Sequence, residues 1–532
     1  MTVGLEGVAG EAFDVVVIGG GINGAGIARE AQHAGYRTLL VERDDFGAGT
    51  TSRATRLIHG GLRYLEHGEF GLVYESLSER ETLVRDAPYL VRPLQLLLPV
   101  YRGDARPAWM VRIGLTLYDL LSFRKSLPRH HALSRSALER YEPNLERDGL
   151  RAAYTFSDAQ VEFPERLVVE SVRDFTEAGG IALNHTSAVD IVAPGHKLRG
   201  VRLRETCGER TVEAGARVIV NAAGPWADMV LAGTDAERHE RLIGGTKGSH
   251  LVAEWPDGPR HAIFATAKAD GRPFFILPWY RYTLVGTTDL RYDGDPSKAQ
   301  ATAAEVAYLL DEASRLFPST PLTREDVLYT YSGVRPLPAN EHGTEAAITR
   351  RHIIIDHTKR GGPDGLLSVV GGKLTTYRSL ARIALKAIEK HAKPSGAPAG
   401  EGRIEARATA PAFVPLEQDP LVIYGRRAGE VRALAEGDPA LRERVCAHNP
   451  EILAQVAYAA DREQAATLAD ALLRRLPAGW SRCHALDGAQ RCAEVMAARL
   501  GWDGERVSAE VAAYERELRG TLVPLDAIEE QV

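Results

Sequence analysis

One segment near the start of the chain constrains the fold more than any other. The strand-like run DVVVI at residues 14–18 leads directly into GGGING at residues 19–24, and a helical pattern follows to about residue 34. A second strand-like run at 38–41 ends at Glu42, which lies 18 residues after Gly24. This is the G-x-G-x-x-G fingerprint in its strand–turn–helix setting, followed by an acidic residue at the expected distance. The pattern predicts a Rossmann-like unit that binds a dinucleotide.

Each residue of the fingerprint has a physical role in that interpretation. Gly19 permits the tight turn, Gly21 lets a pyrophosphate approach the backbone, and Gly24 lets helix and strand pack closely. The free N–H groups at the start of the helix bind the anion. Glu42 accepts hydrogen bonds from ribose hydroxyls, and its charge disfavours a 2′-phosphate. The fingerprint alone does not distinguish NAD from FAD.

By composition the whole chain divides into four parts. Residues 1–12 read as a flexible tail, and residues 13–392 alternate strand-like and helical stretches, as expected for an α/β unit with insertions. A Pro-, Gly- and Ala-rich stretch at 393–415 reads as a linker. Beyond it, residues 416–532 are rich in Ala, Leu and Arg with helical spacing, which predicts an α-helical C-terminal domain.

An antiparallel element interrupts the α/β pattern. Residues 272–289 read RPFFILPWYRYTLVGTTD, in which two apolar and aromatic runs flank a polar turn near Tyr280 and Arg281. Such a pattern predicts a β-hairpin. Because a hairpin fits poorly into a purely parallel sheet, we expect a second, antiparallel substrate domain that includes about residues 240–345.

Composition excludes several classes of function. The net charge of −6 over 532 residues gives no general attraction to nucleic acid, so an anion site must be built locally. The four cysteines form no C-x-x-C pair and have no zinc-like spacing, so we expect ordinary thiols in a reducing compartment and no metal site. The N-terminus lacks a signal-peptide pattern, and no apolar run reaches 18 residues. We therefore expect a cytoplasmic protein, either free or attached peripherally to the cytoplasmic face of the inner membrane.

Two later segments favour FAD over NAD. Residues 218–226 form a strand-like run that ends in a tight turn at Gly224, and residues 366–370 form another that runs into Gly371 and Gly372. Helical sequence then follows from Leu374 to about residue 387. A second helix start directed at the cofactor is what a reduced flavin requires, because its electron-rich edge gains from N–H groups and a cation.

At these residues the chain resembles the FAD-dependent glycerol-3-phosphate dehydrogenases of the D-amino-acid-oxidase-like flavoprotein superfamily. The resemblance is carried by motifs that run in family order across the first 390 residues: VVVIGGGINGAGIA (15–28), LIHGGLRYLEHGEF (57–70), RPAWMVRIGL (106–115), VNAAGPW (220–226), KGSHLV (247–252), YTYSGVRPL (329–337), AAITR (346–350) and SVVGGKLTTYR (368–378). It implies an FAD-binding domain assembled from discontinuous segments, an inserted antiparallel substrate domain and a helical C-terminal domain.

The resemblance also implies an activity, the oxidation of sn-glycerol 3-phosphate to dihydroxyacetone phosphate. A general base must remove the C2 hydroxyl proton as hydride leaves C2 for flavin N5, and we assign this role to His59. Lys373 would stabilise negative charge as electrons arrive. The substrate phosphate needs a cluster of cations, and its expected ligands come from separate motifs: Arg63, Arg335 and Arg350. Arg335 would also contribute to catalysis.

Other residues in these motifs are expected to line the site. Tyr64 is assigned to the substrate pocket, although core packing explains it equally well. The residues expected to contact FAD, besides the fingerprint, are Thr50, Thr51, Ser52, Gly224, Gly372, Lys373, Leu374 and Thr375. A polar loop without a cofactor role is an equal alternative for the triplet 50–52.

The route of the electrons and the oligomeric state are left open by the sequence. Respiratory members of the family pass electrons to a quinone, which implies contact with a membrane. Residues 106–129 combine apolar side chains with five basic residues, a pattern typical of an interfacial segment or of a packed helix at a subunit contact. A homodimer therefore stays an alternative, as do an oxidase that uses O₂, an amine- or amino-acid-oxidising relative, and a non-catalytic dinucleotide-binding sensor.

Overall fold

The computed structural model describes residues 4–122, 126–206, 208–232, 234, 241–339, 351–399 and 414–529. Two β-sheets with flanking helices are followed by a mainly helical C-terminal region. The predicted class, a Rossmann-like α/β unit with an antiparallel substrate sheet and a helical C-terminal domain, is therefore confirmed. Of the predicted linker at 393–415, residues 400–413 lie outside the described residues.

The strands of the described residues have the following bounds. In chain order they are β1 (Ala12–Ile18), β2 (Thr38–Val41), β3 (Leu57–Ile58), β4 (Val91–Tyr101), β5 (His131–Ala132), β6 (Leu150–Val161), β7 (Ile181–Leu183), β8 (Thr186–Val192), β9 (Gly200–Glu205), β10 (Thr211–Asn221), β11 (Thr246–Ala253), β12 (Ala262–Thr266), β13 (Pro273–Trp279), β14 (Tyr282–Gly286), β15 (Leu290–Arg291), β16 (Val327–Arg335), β17 (Ile353–Asp356) and β18 (Leu366–Val370).

The α-helices alternate with these strands and then dominate the C-terminal region. They are α1 (Ile22–His33), α2 (Phe70–Asp86), α3 (Ala108–Leu121), α4 (Arg135–Tyr141), α5 (Pro164–Glu177), α6 (Ala227–Leu231), α7 (Ala303–Leu316), α8 (Tyr377–Ile388), α9 (Ala428–Gly437), α10 (Leu453–Arg462), α11 (Ala489–Leu500), α12 (Gly504–Thr521) and α13 (Leu525–Glu529).

The first sheet has the strand order β17-β18-β10-β1-β2-β7, and β9 extends it from β10. The central strands β18, β10, β1, β2 and β7 are parallel. Strand β1 is buried from Phe13 to Ile18 because both faces of the sheet are covered. Val15 and Val17 pack in the same core as the apolar side chains of α1, whereas Val16 packs with those of β9 and α6.

The second sheet is mainly antiparallel and follows the order β15-β11-β14-β13-β12-β4-β6-β3, with β16 on β11 and β5 on β6. Strands β13 and β14 pair from Phe275–Gly286 to Trp279–Tyr282, so the predicted hairpin turns at Tyr280 and Arg281. Strands β3 to β6 join this sheet from residues 57–161, well before the segment 240–345 that the hairpin had suggested. Periodicity could not assign them, because membership of a sheet depends on long-range pairing.

Buried ion pairs join the C-terminal region to the loop after β2. Asp45, in that loop, accepts a hydrogen bond from Arg474 Nε at 2.6 Å and two from the Nη atoms of Arg475 at 2.6 and 2.8 Å. The side chains of Asp45 and Arg475 are fully buried. Because a buried charge without its partner is strongly unfavourable, these contacts fix the loop against the C-terminal region.

A second buried cation lies where three parts of the chain meet. The Arg56 guanidinium is fully buried and bonds both carboxylate oxygens of Glu165 at 3.2 Å. It also lies 4.6 Å from the ring centroid of Trp279 and 4.3 Å from that of Trp480. Aromatic faces attract a cation strongly when water is excluded. Arg56 therefore ties the segment between β2 and β3 to the second sheet and to the C-terminal region.

Helix α3 turns an apolar face toward solvent in this single chain. Trp109, Ile113 and Leu120 are between 53% and 67% exposed, while Leu115 and Tyr118 are buried against the protein. The neighbouring α2 also exposes large apolar side chains near its start. Across the described residues, no helix combines the length and the hydropathy needed to cross a membrane.

Replacing Asp45 tests the anchoring of the C-terminal region. Asp45→Ala should lower the free energy of unfolding by about 3–5 kcal/mol, because Arg474 and Arg475 keep their buried charges and lose their shared partner. Urea denaturation followed by circular dichroism measures the change.

The matched control for this prediction is Asp190→Ala, which removes the exposed ion pair with Arg202. That change should cost less than about 1 kcal/mol. Equal losses for the two variants would contradict the anchoring role of Asp45.

Candidate active site

Three loops that follow parallel strands meet at one edge of the first sheet. Strand β1 pairs with β10 in the register Ile18–Asn221, and β10 pairs with β18 in the register Asn221–Ser368. Because the strands are parallel, their carboxyl ends lie at the same edge, which is where α/β sheets bind ligands. Residues of the loops after Ile18, Asn221 and Val370 line one cavity of about 510 Å³. We call it the cofactor cavity.

The glycines of the fingerprint have the geometry that a dinucleotide site requires. Gly19 has a φ of 108°, which glycine adopts without strain, and a Cβ on Gly24 would lie 1.8 Å from the Gly19 carbonyl oxygen. Only glycine therefore lets α1 begin this close to the turn. Gly19 and Gly21 line the cofactor cavity. Gly24 lies in the first turn of α1.

Glu42 follows β2 and lines the same cavity. Its Oε2 accepts a hydrogen bond from the Gly20 N–H at 2.6 Å, and its Oε1 accepts one from the Asp44 N–H at 2.9 Å. Burial raises the pKa of the Glu42 carboxyl to about 7. The carboxyl group thus lies beside the fingerprint, where the acceptor of ribose hydroxyls is expected.

The polar triplet 50–52 does not act as one unit. Thr51 Oγ1 accepts a hydrogen bond from the Ile22 N–H at 3.1 Å and lines the cofactor cavity. The Thr50 hydroxyl lines it too and donates to the Val334 carbonyl at 2.8 Å. The buried Ser52 hydroxyl donates to the Gly47 carbonyl at 2.7 Å, and Ser52 is not among the lining residues. The structure therefore brings Thr50 and Thr51, but not Ser52, to the expected site.

The loops after β10 and β18 also line the cofactor cavity. Gly224, after β10, and Gly372, after β18, have φ values of 58° and 97° and both line the cofactor cavity. The sequence had predicted a helix from Leu374, but α8 begins at Tyr377. The left-handed glycines keep this segment irregular before the helix starts. Lys373 and Leu374 consequently lie in a loop that faces the cavity.

A second cavity of about 270 Å³ adjoins the first, and we call it the substrate cavity. It is bounded by the second sheet and by the segment after β3. Six residues line both cavities, namely Thr50, Ala54, Pro336, Gly372, Lys373 and Leu374. A ligand in the substrate cavity would therefore lie directly beside one in the cofactor cavity.

The segment after β3 brings three predicted residues to the substrate cavity, which is lined by His59, Arg63 and Tyr64. The His59 backbone N–H donates to Thr375 Oγ1 at 3.2 Å, which connects this segment to the loop after β18. Lys373 Nζ lies 3.7 Å from the centroid of the Tyr64 ring and donates to Ser76 Oγ at 3.4 Å. The ammonium group is thus held at the junction of the two cavities.

Arg335 reaches the same cavity from the end of β16. Its Nη1 donates to Asp289 Oδ1 at 3.0 Å, and its Nη2 donates to Thr287 Oγ1 at 3.1 Å. These bonds fix the guanidinium plane. Arg350, the third predicted phosphate ligand, lies outside the described residues. Arg272, the first residue of the hairpin segment, lines the cavity as well, although the sequence pattern gave it no role in the site.

His250 is a lining residue that sequence reasoning missed. It lies in β11, stacks on Tyr331 with ring centroids 4.7 Å apart, and bonds Thr55 Oγ1 through Nε2 at 2.9 Å. Burial and the nearby Arg335 lower the pKa of its imidazole well below the usual range, so the ring is neutral at pH 7. The motif KGSHLV contains it, but a strand residue gives no functional signal until the fold places it in a cavity.

The arrangement fits a flavin dinucleotide and an anionic substrate. The cofactor cavity offers glycine turns, an acidic acceptor and threonine side chains, while the substrate cavity offers two histidines beside several cations. The position of Lys373 between them suits a cofactor that becomes negatively charged on reduction.

Comparison with protein families gives two matches. The family described as "FAD dependent oxidoreductase" matches residues 14–378, which is more than half of the chain. The family described as "C-terminal domain of alpha-glycerophosphate oxidase" matches residues 417–507.

Individual relatives agree with these families. A glycerol-3-phosphate dehydrogenase from a Synechocystis strain is 39% identical over an alignment of 540 positions, gaps included. The alignment covers 96% of this chain and 97% of that protein. The aerobic glycerol-3-phosphate dehydrogenase of Escherichia coli is 39% identical over 389 residues, covering 71% and 73% of the two chains. The structure of glycerol-3-phosphate dehydrogenase from Bacillus halodurans in complex with FAD matches with a TM-score of 0.76 at 26% identity, covering 97% of each chain. The chain thus belongs to the family of FAD-dependent glycerol-3-phosphate dehydrogenases, and FAD is its cofactor.

Proposed function

We propose that this protein oxidises sn-glycerol 3-phosphate to dihydroxyacetone phosphate and passes the electrons to a quinone. One observation supports the proposal above all others. The substrate cavity gathers Arg63, Arg272, Arg335 and Lys373 directly beside the cofactor cavity. In a chain of net charge −6, such a local excess of positive charge suits a phosphate ester. The names of the dehydrogenases from Synechocystis and Escherichia coli support the same substrate.

The roles of the side chains follow from their positions. Bound FAD supplies the acceptor for the hydride that leaves C2 of the substrate. Arg63 and Arg335 bind the phosphate from the walls of the substrate cavity, and the fixed guanidinium of Arg335 also orients the substrate for the reaction. Arg350 joins them as a phosphate ligand on the basis of its sequence motif alone. His59 accepts the proton of the C2 hydroxyl. Lys373 stabilises the negative charge that develops at the junction of the cavities.

His250 is a second candidate for the base, because a proton acceptor must be neutral before the reaction and burial keeps this imidazole neutral. His59 remains our assignment, since its backbone N–H bonds Thr375, which follows the junction residues Lys373 and Leu374 in the loop after β18. The two histidines are separable by substitution.

An oxidase that uses O₂ is the alternative with a specific observation in its favour. Residues 417–507 match a domain described from alpha-glycerophosphate oxidase. Purified protein supplied with sn-glycerol 3-phosphate should form dihydroxyacetone phosphate rapidly with a quinone analogue and slowly with O₂. Rapid peroxide formation in air would favour the oxidase, turnover of D-amino acids instead would favour an amine substrate, and no turnover of either would favour a sensor.

A quinone acceptor requires access to a membrane, and α3 is the surface we assign to it. The helix exposes Trp109, Ile113 and Leu120, and Arg112 lies on the same helix. Apolar side chains combined with basic ones are typical of helices that lie in a membrane interface. In this proposal the protein is peripheral on the cytoplasmic face of the inner membrane.

The role of His59 predicts a specific kinetic effect. His59→Ala should slow flavin reduction by sn-glycerol 3-phosphate by roughly 10²–10⁴-fold, the usual contribution of a general base, while FAD stays bound. Stopped-flow absorbance of the flavin measures the rate. His250→Ala is the comparison variant, and a larger loss there than in His59→Ala would move the base role to His250.

The assignment of Arg335 as a phosphate ligand predicts a change in substrate affinity. Arg335→Ala should weaken substrate binding by about 1.5–3 kcal/mol, because a hydrogen-bonded charge is lost. Arg335→Lys should recover only part, since lysine lacks the planar fork. Steady-state KM values measure both, with the exposed Arg241→Ala as the control that leaves KM unchanged. An unaltered KM in Arg335→Ala would contradict the role of Arg335 as a phosphate ligand.

The raised pKa of Glu42 predicts a pH dependence of FAD binding. Ribose hydroxyls donate to the ionised carboxylate, so FAD binding favours loss of the Glu42 proton. The FAD dissociation constant should therefore fall several-fold as pH rises from 6 to 8, through the pKa of about 7. Fluorescence titration of FAD-free protein measures it. A Glu42→Gln variant with the same pH dependence would rule out this residue as the cause.

Membrane contact through α3 is tested with vesicles. Trp109→Ser combined with Leu120→Ser should abolish co-sedimentation with phosphatidylglycerol vesicles, because both apolar anchors are lost, while dye-linked activity is retained. The control carries the same changes at Ile383 and Leu500, which are exposed elsewhere. If the α3 variant still sediments with the vesicles as the wild type does, α3 does not bind the membrane. A subunit contact would then be the better explanation of its exposed apolar face.

A further inference from the structure

Two cysteines far apart in the sequence meet in the C-terminal region. The Sγ atoms of Cys446 and Cys483 lie 3.7 Å apart, whereas their spacing in the sequence had predicted separate, ordinary thiols. Gly488 permits this approach, because a Cβ there would lie 1.7 Å from the Val445 carbonyl oxygen. The segment 445–448 therefore packs directly against the segment 483–488.

A histidine and an aspartate complete the group. His448 Nδ1 lies 3.7 Å from Asp487 Oδ2, and one atom from each of the four side chains falls within 4.8 Å of every other. In a tetrahedral zinc site the Zn–S bonds are about 2.3 Å long, which places two thiolates about 3.8 Å apart. The observed separation of the sulfurs matches that spacing.

We propose that Cys446, His448, Cys483 and Asp487 bind one Zn²⁺ in a tetrahedral structural site. Two thiolates with one imidazole and one carboxylate form a donor set that Zn²⁺ favours over Mg²⁺ or Ca²⁺, which prefer oxygen ligands alone. The two thiols release their protons on binding, and His448 binds as the neutral imidazole. Two thiolates and one carboxylate then surround the cation with three negative charges.

The surroundings of the sulfurs suit thiolates. The buried Asn449 donates through Nδ2 to Cys446 Sγ at 3.1 Å and to Cys483 Sγ at 3.6 Å. Hydrogen bonds from neighbouring side chains to the ligand atoms are a regular feature of metal sites, since they orient the ligands and stabilise their charge. Cys446 lies in the interior, while His448 is largely exposed and gives an ion access from solvent.

A second cluster of similar composition illustrates what this one lacks. Asp45, His185 and Asp470 also approach one another closely. Arg474 and Arg475 bond these carboxylates directly, so their positive charges already neutralise the cluster and oppose a further cation. Within the described residues no lysine or arginine is found in ion pairing with Asp487, the acidic member of the cysteine cluster.

The site would stabilise the part of the C-terminal region that contacts the catalytic unit. Cys483 follows Trp480, whose ring lies against the Arg56 guanidinium. The next residue, His484, accepts a hydrogen bond from Tyr514 through its carbonyl at 2.6 Å. A metal that joins 446–448 to 483–487 therefore fixes the loop that carries these contacts.

Metal analysis of the purified flavoprotein tests the proposal. Protein produced in zinc-supplemented medium should retain about one zinc per chain after dialysis. Cys446→Ser combined with Cys483→Ser should lose it, and Cys492→Ser, which alters a buried cysteine outside the cluster, should keep it. Replacement by Co²⁺ should give sulfur-to-metal charge-transfer absorption in the wild type and none in the double variant.

A third variant controls for the outcome in which the double variant fails to fold. His448→Ala changes an exposed ligand and should leave the FAD content unchanged, yet weaken zinc binding by about tenfold or more in competition with a chromophoric chelator. The proposal is overturned if the wild type carries no zinc, if zinc content is equal in wild type and both ligand variants, or if mass spectrometry finds Cys446 and Cys483 joined as a disulfide in metal-free protein.

Discussion

The active-site geometry depends on the register of three parallel strands. Strands β1, β10 and β18 are hydrogen-bonded neighbours although they lie about 350 residues apart at the extremes. Ile18 is level with Asn221, and Asn221 is level with Ser368, two residues before β18 ends at Val370. Because parallel strands present their carboxyl ends at one edge, the loops that follow must share one cavity. Glycine is needed in each loop, at Gly19, Gly224 and Gly372, where the chain turns with a positive φ beside the ligand. The same register that builds the core thus determines where the cofactor cavity forms.

The C-terminal region contributes to this geometry, although none of its residues among 414–529 lines either cavity. Asp45 and Arg56 lie on either side of Thr50 and Thr51, and each is held by a fully buried charge contact. Arg475 and the Trp480 ring provide the C-terminal halves of those contacts. Buried ion pairs are poor sources of net stability, but they define one arrangement because every alternative leaves a charge unpaired. The helical region therefore fixes the position of the loop 45–56, which lines both cavities.

The sequence predicted what depends on local pattern and missed what depends on long-range packing. The fingerprint from Gly19 to Glu42 and the turn at Tyr280 were predicted because each depends on a pattern within one short continuous segment. The start of α8 was placed three residues early, since the amino-acid pattern continues through Leu374 while the backbone does not. Ser52 resembled its threonine neighbours, but its side chain points to Gly47. The position of His250 beside the substrate cavity and the approach of Cys446 to Cys483 arise only from tertiary contacts.

The central claim is that an anion held by the arginine cluster lies against the bound flavin. Anaerobic titration of the purified yellow protein with sn-glycerol 3-phosphate, followed by the visible absorbance of the flavin, tests it most directly. One equivalent per chain should bleach the flavin, and glycerol, which lacks the phosphate, should leave it oxidised at the same concentration. An unchanged flavin spectrum with sn-glycerol 3-phosphate, or equal bleaching by both compounds, would contradict the account.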